Sequence, residues 1–115
     1  MTIMYGIPNC DTIKKAKKLL SDNHIEFTFH DYRKEGISPE LIDIFFAHLG
    51  WENVLNKRGT TYRSLSEDQK QNLNEQTAKQ ILLDAPAMIK RPIILHNDNY
   101  HLGFKKEQYL EIFAI

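Results

Sequence analysis

YGIPNCDTIKKAKKLL, residues 5–20, contains the only cysteine of the chain. Before it, Ile3-Met4-Tyr5 is a short apolar run that stops at Gly6 and Pro8, the pattern of a buried strand. After it, Ile13, Ala16, Leu19 and Leu20 recur at helical spacing, with lysines at 14, 15, 17 and 18 between them. The spacing predicts an amphipathic helix from Cys10 or Asp11 to about Asn23. Cys10 therefore stands where a strand ends and a helix starts.

Working outward, IEFTFHDY (25–32) alternates apolar with polar residues and reads as a half-buried strand. In SPELIDIFFAHLG (38–50), Ser38 is an N-cap, Pro39 suits the first helical position and Gly50 the stop. Leu41, Ile44, Phe45, His48 and Leu49 are expected on one face of that helix, and Trp51 at the core edge. NKRGTTYRSL (56–65) lacks periodicity and reads as an ordered loop. Ser66 with Gln69 forms a capping box at the start of a short helix. A second helix over Glu75–Asp84 turns Ala78, Ile81 and Leu82 inward, and Pro86 ends it. IILH (93–96) and YHLG (100–103) flank Asn97-Asp98-Asn99 and predict a hairpin. KKEQYLEIFAI (105–115) closes the chain as a helix.

The first strand, helix and second strand form a right-handed parallel unit. The hairpin must join the same sheet, because two strands alone are marginal. The expected fold is α/β: a four-stranded mixed sheet with a helical insertion between strands two and three. At 115 residues the chain is expected to be one domain, 1–115, and a monomer.

Composition excludes several function classes. Lysine plus arginine and aspartate plus glutamate are 15 each, so nothing draws the whole protein to nucleic acid or an anionic membrane. The KKAKK run lacks flanking aromatics and reads as a solvated helix face. The histidines at 24, 30, 48, 96 and 101 lack metal-ligand spacing, so no metal is expected. No nucleotide-binding glycine motif is present, and no tightly bound cofactor is expected. One cysteine cannot form an intramolecular disulfide. Met1–Tyr5 lacks the basic start and long apolar run of an export signal, and no stretch is long enough to span a bilayer. A reduced, cytoplasmic compartment is the expectation.

An inert core thiol is the competing reading of Cys10. Against it, Cys10 lies between the polar turn formers Asn9 and Asp11. In open α/β sheets ligands bind at the carboxyl ends of strands, and helix-start N–H groups favour a thiolate. Lys14, one turn on, adds positive potential, and Asp11 opposes it. If strand three runs antiparallel beside strand one, Arg91 and Pro92 stand across from Cys10. Arg91 then either holds an anion or thiolate or is a surface arginine before an edge strand. Arg58, Gly59 and the hydroxyls of Thr60 and Thr61 have the composition of a further anion-binding loop, a composition that ordinary loops share.

YGIPNCDTIKKAKKLL, FHDYRKEG, LGWENVLNKRGTTYRSL, IKRPIIL and HLGF, in this order from end to end, resemble the ArsC/Spx family, which is related to arsenate reductases. The resemblance is closest to its YffB-type branch. It implies a thioredoxin-like fold, Cys10 as redox-active nucleophile, Pro92 as the adjoining cis-proline and Arg91 as an oxyanion ligand. The departures are as informative. Arsenate reductases carry a His-Asn-Pro-Ala-Cys type loop, where this chain has Gly6 and Ile7 in place of histidine and asparagine. Of the Gly-Thr-Ser run after their cysteine only Thr12 remains. Their second arginine falls at Asn56, with Arg58 two residues on, and their third falls at Phe104. Spx-type regulators often carry CxxC, but position 13 is isoleucine.

A single thiol implies a mixed disulfide resolved by an external thiol. The expectation is a glutathione-dependent thiol oxidoreductase, with Cys10 as nucleophile and Thr12, Lys14, Arg58 and Arg91 binding the thiol or oxyanion substrate. The alternatives are an arsenate reductase linked to glutathione and glutaredoxin, and a regulatory binding module like Spx.

Overall fold

Gly6 ends the first strand at a point where the helix that follows crowds its backbone. The computed structural model describes all residues, 1–115. Strands β1 (Thr2–Gly6), β2 (Thr28–Asp31), β3 (Ile93–His96) and β4 (Asn99–Leu102) form one sheet in the order β2-β1-β3-β4. β1 runs parallel to β2 and antiparallel to β3, and β3 is antiparallel to β4. The four-stranded mixed sheet and its thioredoxin-like, α/β character follow the expectation. The chain divides into two compact units, one of residues 1–36 and 91–115, the other of residues 37–90.

In the first unit, α1 (Asp11–Asp22) buries Ile13, Ala16 and Leu20, while most of its lysines face water. These three pack with Met4, Ile94 and Tyr109, the last from α8 (Lys106–Phe113). All six are fully buried. Each large apolar member contributes about 1.5–3 kcal/mol of transfer free energy, so this cluster ties both helices to the sheet.

β2 is shorter than the expected 25–32. Its first pair is Thr28 with Ile3, and residues 25–27 lie outside the ladder. Ile25 and Phe27 pack on the core without a ladder. At its other end Asp31 caps α2 (Tyr32–Glu35), accepting from Arg33 N–H at 2.8 Å. That one-turn helix was not foreseen. β4 starts one residue early, at Asn99, leaving Asn97 and Asp98 as a two-residue turn with φ of 49° and 69°. Both φ angles are positive, which is what tight hairpin turns demand and Asn and Asp tolerate.

The second unit is the helical insertion: α3 (Pro39–Leu49), α4 (Trp51–Val54), α5 (Thr60–Arg63), α6 (Glu67–Gln71), α7 (Glu75–Asp84) and a 3-10 turn at Pro86–Met88. Ser38 caps α3, with Leu41 N–H donating to its Oγ at 3.1 Å. Ser66 and Gln69 form the expected capping box, and Asn74 with Thr77 makes a second. Inside the unit Leu55 and Ile89 form a bridge, flanked by Lys90 N–H to Val54 O at 2.7 Å and Asn56 N–H to Met88 O at 2.8 Å.

Two expectations here need correction. The buried face of α3 is Ile42, Phe45 and Phe46, while Ile44 and His48 are exposed. Apolar residues fill positions 41, 42, 44, 45 and 46, so both phases fit a 3.6 period, and packing selected the other one. The supposed loop 56–65 contains a helical turn, α5, and Trp51 opens α4. Helices of one turn show no periodicity to read.

Candidate functional site

β1 delivers the site. Its antiparallel pairing with β3 puts Tyr5 opposite Ile93, so the residues just before β3 lie beside the end of β1. Arg91 and Pro92 are those residues, and the peptide between them is cis. Pro92 is buried, and its carbonyl accepts from Gly103 N–H at 2.8 Å. A Cβ at Gly6 would meet Ile13 Cδ1 at 2.5 Å and Arg91 Cβ at 3.8 Å. The missing side chain lets Ile13 of α1 approach this closely, whereas Arg91 stands at ordinary contact distance.

Cys10 is the N-cap residue of α1, with φ −126° and ψ 127°, and is half-buried. The thiol makes no cap bond of ordinary geometry. Its pKa is nevertheless lowered. Partial burial is the largest single effect and acts upward. It is outweighed by the Ile13 N–H, a hydrogen bond from Arg91, the Thr12 N–H and the charge of Arg91. The thiolate is thus stabilised by a helix start and one guanidinium together.

The structure brings Cys10, Thr12, Arg91 and Pro92 together. Thr12 contributes its backbone N–H. Lys14 is exposed, donates its N–H to Cys10 O at 3.0 Å, and its ammonium is not among the groups acting on the sulfur; neither is Asp11. Arg58 belongs to the second unit, exposed, with its N–H on Asn56 Oδ1 at 3.2 Å. Phe104 packs on the core and meets Tyr109 edge-on, ring centres 4.7 Å apart. No cluster of three or more His, Cys, Asp or Glu is arranged to hold a metal. No helix is long and apolar enough to cross a membrane.

Sequence reading missed Tyr32. It is 3% exposed, and its hydroxyl has no hydrogen-bond partner. Burial pushes its pKa up, Tyr5 adds to the rise, and Arg91 opposes it. Arg91 therefore acts on both Cys10 and Tyr32. The HDYRKEG stretch that carries Tyr32 figured only as part of the resemblance. What singles the tyrosine out is burial, which no local pattern announces.

A strand-loop-helix cysteine beside a cis-proline, on a four-stranded mixed sheet, defines a thioredoxin-like protein with a single thiol. Residues 5–112 match the ArsC family, and the chain belongs to it. It is similar to the solved structure of a YffB protein, 40% identical, with TM-score 0.93 over 97% of this chain and 98% of that one. An arsenate reductase (ArsC) related protein from Brucella melitensis is 43% identical, with TM-score 0.81 over 99% and 95% of the two chains. The global transcriptional regulator Spx of Staphylococcus aureus is 26% identical over 94% of this chain and 83% of its own.

Proposed function

We propose that this protein is a glutathione-dependent thiol oxidoreductase in which Cys10 is the nucleophile. The supporting observation is the lowered Cys10 pKa, produced by the start of α1 and Arg91. A thiolate, not a thiol, attacks sulfur.

Cys10 thiolate attacks the glutathionyl sulfur of a mixed disulfide. The substrate's S–S bond breaks, the substrate sulfur leaves as thiolate and takes a proton from water, and a Cys10–glutathione disulfide forms. With no second cysteine in the chain, resolution needs another thiol. Glutathione thiolate attacks the glutathionyl sulfur, oxidised glutathione leaves, and Cys10 returns as thiolate. The net result is one substrate sulfur reduced to a thiol and one incoming glutathione thiol oxidised into the glutathione disulfide. Arg91 holds the Cys10 thiolate before attack and stabilises it again as leaving group. Thr12 supplies its N–H to the same sulfur, and Lys14 offers a cation to a carboxylate of glutathione.

Reduction of arsenate is the weaker reading. At Phe104, where arsenate reductases carry an arginine, this chain has a core aromatic that offers an oxyanion no donor.

Mass spectrometry of the native protein after incubation with oxidised glutathione tests the reading. One glutathione adduct, on Cys10 and absent from Cys10→Ser, is expected. No adduct at Cys10 rejects it.

A further inference from the structure

Beside the Cys10 loop lies a cavity of about 310 Å³, lined by Pro8, Lys17, Phe29, Asp31, Lys34 and Glu35. We propose that it binds the zwitterionic amino-acid head of a peptidic thiol, the γ-glutamyl end of glutathione. The proposal rests on the thiol chemistry above and adds to it the place and chemistry of recognition.

Position comes first. Pro8 is two residues from Cys10, so their Cα atoms are at most about 7 Å apart. The γ-glutamyl arm of glutathione is roughly two residues of chain long and spans a similar distance. A sulfur at Cys10 and a head group in this cavity are thus within one molecule's reach. A larger hollow of about 610 Å³ is lined by Met1, Thr2 and residues 25–28, at the opposite ends of β1 and β2 from Cys10. It cannot serve the same ligand.

The charges come second. Asp31 is only 8% exposed. One of its oxygens accepts from Arg33 N–H, and no side-chain cation pairs with it. A buried carboxylate without a counter-ion is costly, and a ligand ammonium would offset that cost. Glu35 lies beside it, its Oε2 accepting the Asp31 N–H at 3.1 Å. On the same wall Lys17 holds its ammonium 3.6 Å from the centre of the Phe29 ring. Lys34 is exposed and in no ion pair.

Two cations and two anions around one small cavity select a ligand that carries both charges on one carbon. The ammonium goes to Asp31 and Glu35, the carboxylate to Lys17 and Lys34. A dicarboxylate would face Asp31 unpaired, and a diamine would face the lysines. At this volume the cavity is at the small end of ligand sites, suited to an amino-acid head.

The test compares rates of Cys10 adduct formation with oxidised glutathione and with bis(2-hydroxyethyl) disulfide, which carries no charge. Their ratio is the readout, so changes in thiol reactivity cancel. Asp31→Asn keeps an oxygen to cap α2 and removes the charge. Oxidised glutathione is anionic overall, so bulk attraction alone would raise the ratio in this variant. Head-group recognition makes it fall, by about tenfold for one charge-assisted hydrogen bond. Lys34→Gln, at an exposed position that does not threaten folding, is expected to lower it as well. An unchanged or raised ratio in Asp31→Asn, or no fall in Lys34→Gln, overturns this proposal and leaves the thiol chemistry standing. A wild-type adduct with hydroxyethyl disulfide but none with oxidised glutathione overturns both this proposal and the glutathione reading.

Discussion

At Cys10 two opposing effects meet, and their sum is what chemistry needs. Burial penalises the thiolate, whereas two backbone N–H groups and Arg91 favour it more strongly. Arg91→Met is therefore expected to raise the apparent thiol pKa, read from the pH dependence of iodoacetamide alkylation. Wild type should titrate below the free-thiol value of about 8.5. Alkylation of the variant at neutral pH should slow by about tenfold per unit of rise. An unchanged profile would show that the helix start suffices alone. The shift also has a stability consequence. Because the folded pKa is lowered, thiolate formation adds stability above the folded pKa, reaches its full value above the unfolded one, and loses it as pH falls through the folded pKa. The urea midpoint of wild type relative to Cys10→Ser should therefore rise from neutral to mildly alkaline pH. Cys10, Arg91 and Pro92 were legible because strand order alone sets them face to face. The balance of effects on the sulfur was not, since Lys14 looks well placed in sequence yet its side chain is exposed.

Between elements, the contact of β1 with α1 is set by Gly6. A methyl there would stand 2.5 Å from Ile13 Cδ1, and Ile13 is fully buried, so it cannot swing away freely. Gly6→Ala should cost about 1–3 kcal/mol by overpacking, measured by urea denaturation. A loss below a few tenths would mean that the junction repacks at little cost. Caps and long helices read well from sequence because their signals lie within a few residues of each other. Ser38, the Ser66–Gln69 box and the span Glu75–Asp84 all appear as expected. The one-turn helices α2, α4 and α5 did not. Isolated turns are unstable by themselves, so their residues carry no helical signature.

For the molecule as a whole, Tyr109 shows what the core of the first unit tolerates. It is fully buried, with ring contacts to Phe104 and Phe113, and its hydroxyl has no partner. Burial alone pushes its pKa up. Tyr109→Phe keeps the ring and removes an unsatisfied polar atom, so it should stabilise the protein by about 1 kcal/mol. The check is a higher melting temperature. A lower one would show that the hydroxyl is satisfied by bound water. The second unit, residues 37–90, has its own buried set, including Ile42, Phe45, Phe46, Val54, Ala78, Leu82 and Ile89.

The sequence by itself determined the element order, the long helices and their caps and the hairpin, and made Arg91-Pro92 a candidate neighbour of the lone cysteine. These rest on periodicity and turn chemistry, which act over a few residues, and on sheet rules that leave few topologies open. The tertiary structure decided which phase of α3 is buried and how short β2 is. It also decided that backbone N–H groups and Arg91, rather than Lys14, act on the thiol, and that Asp31 is buried in the wall of a charged cavity beside the Cys10 loop. Each of these depends on what distant segments bring to one place. Positions 31 and 8 line one cavity, and position 91 reaches position 10, only once the sheet has formed.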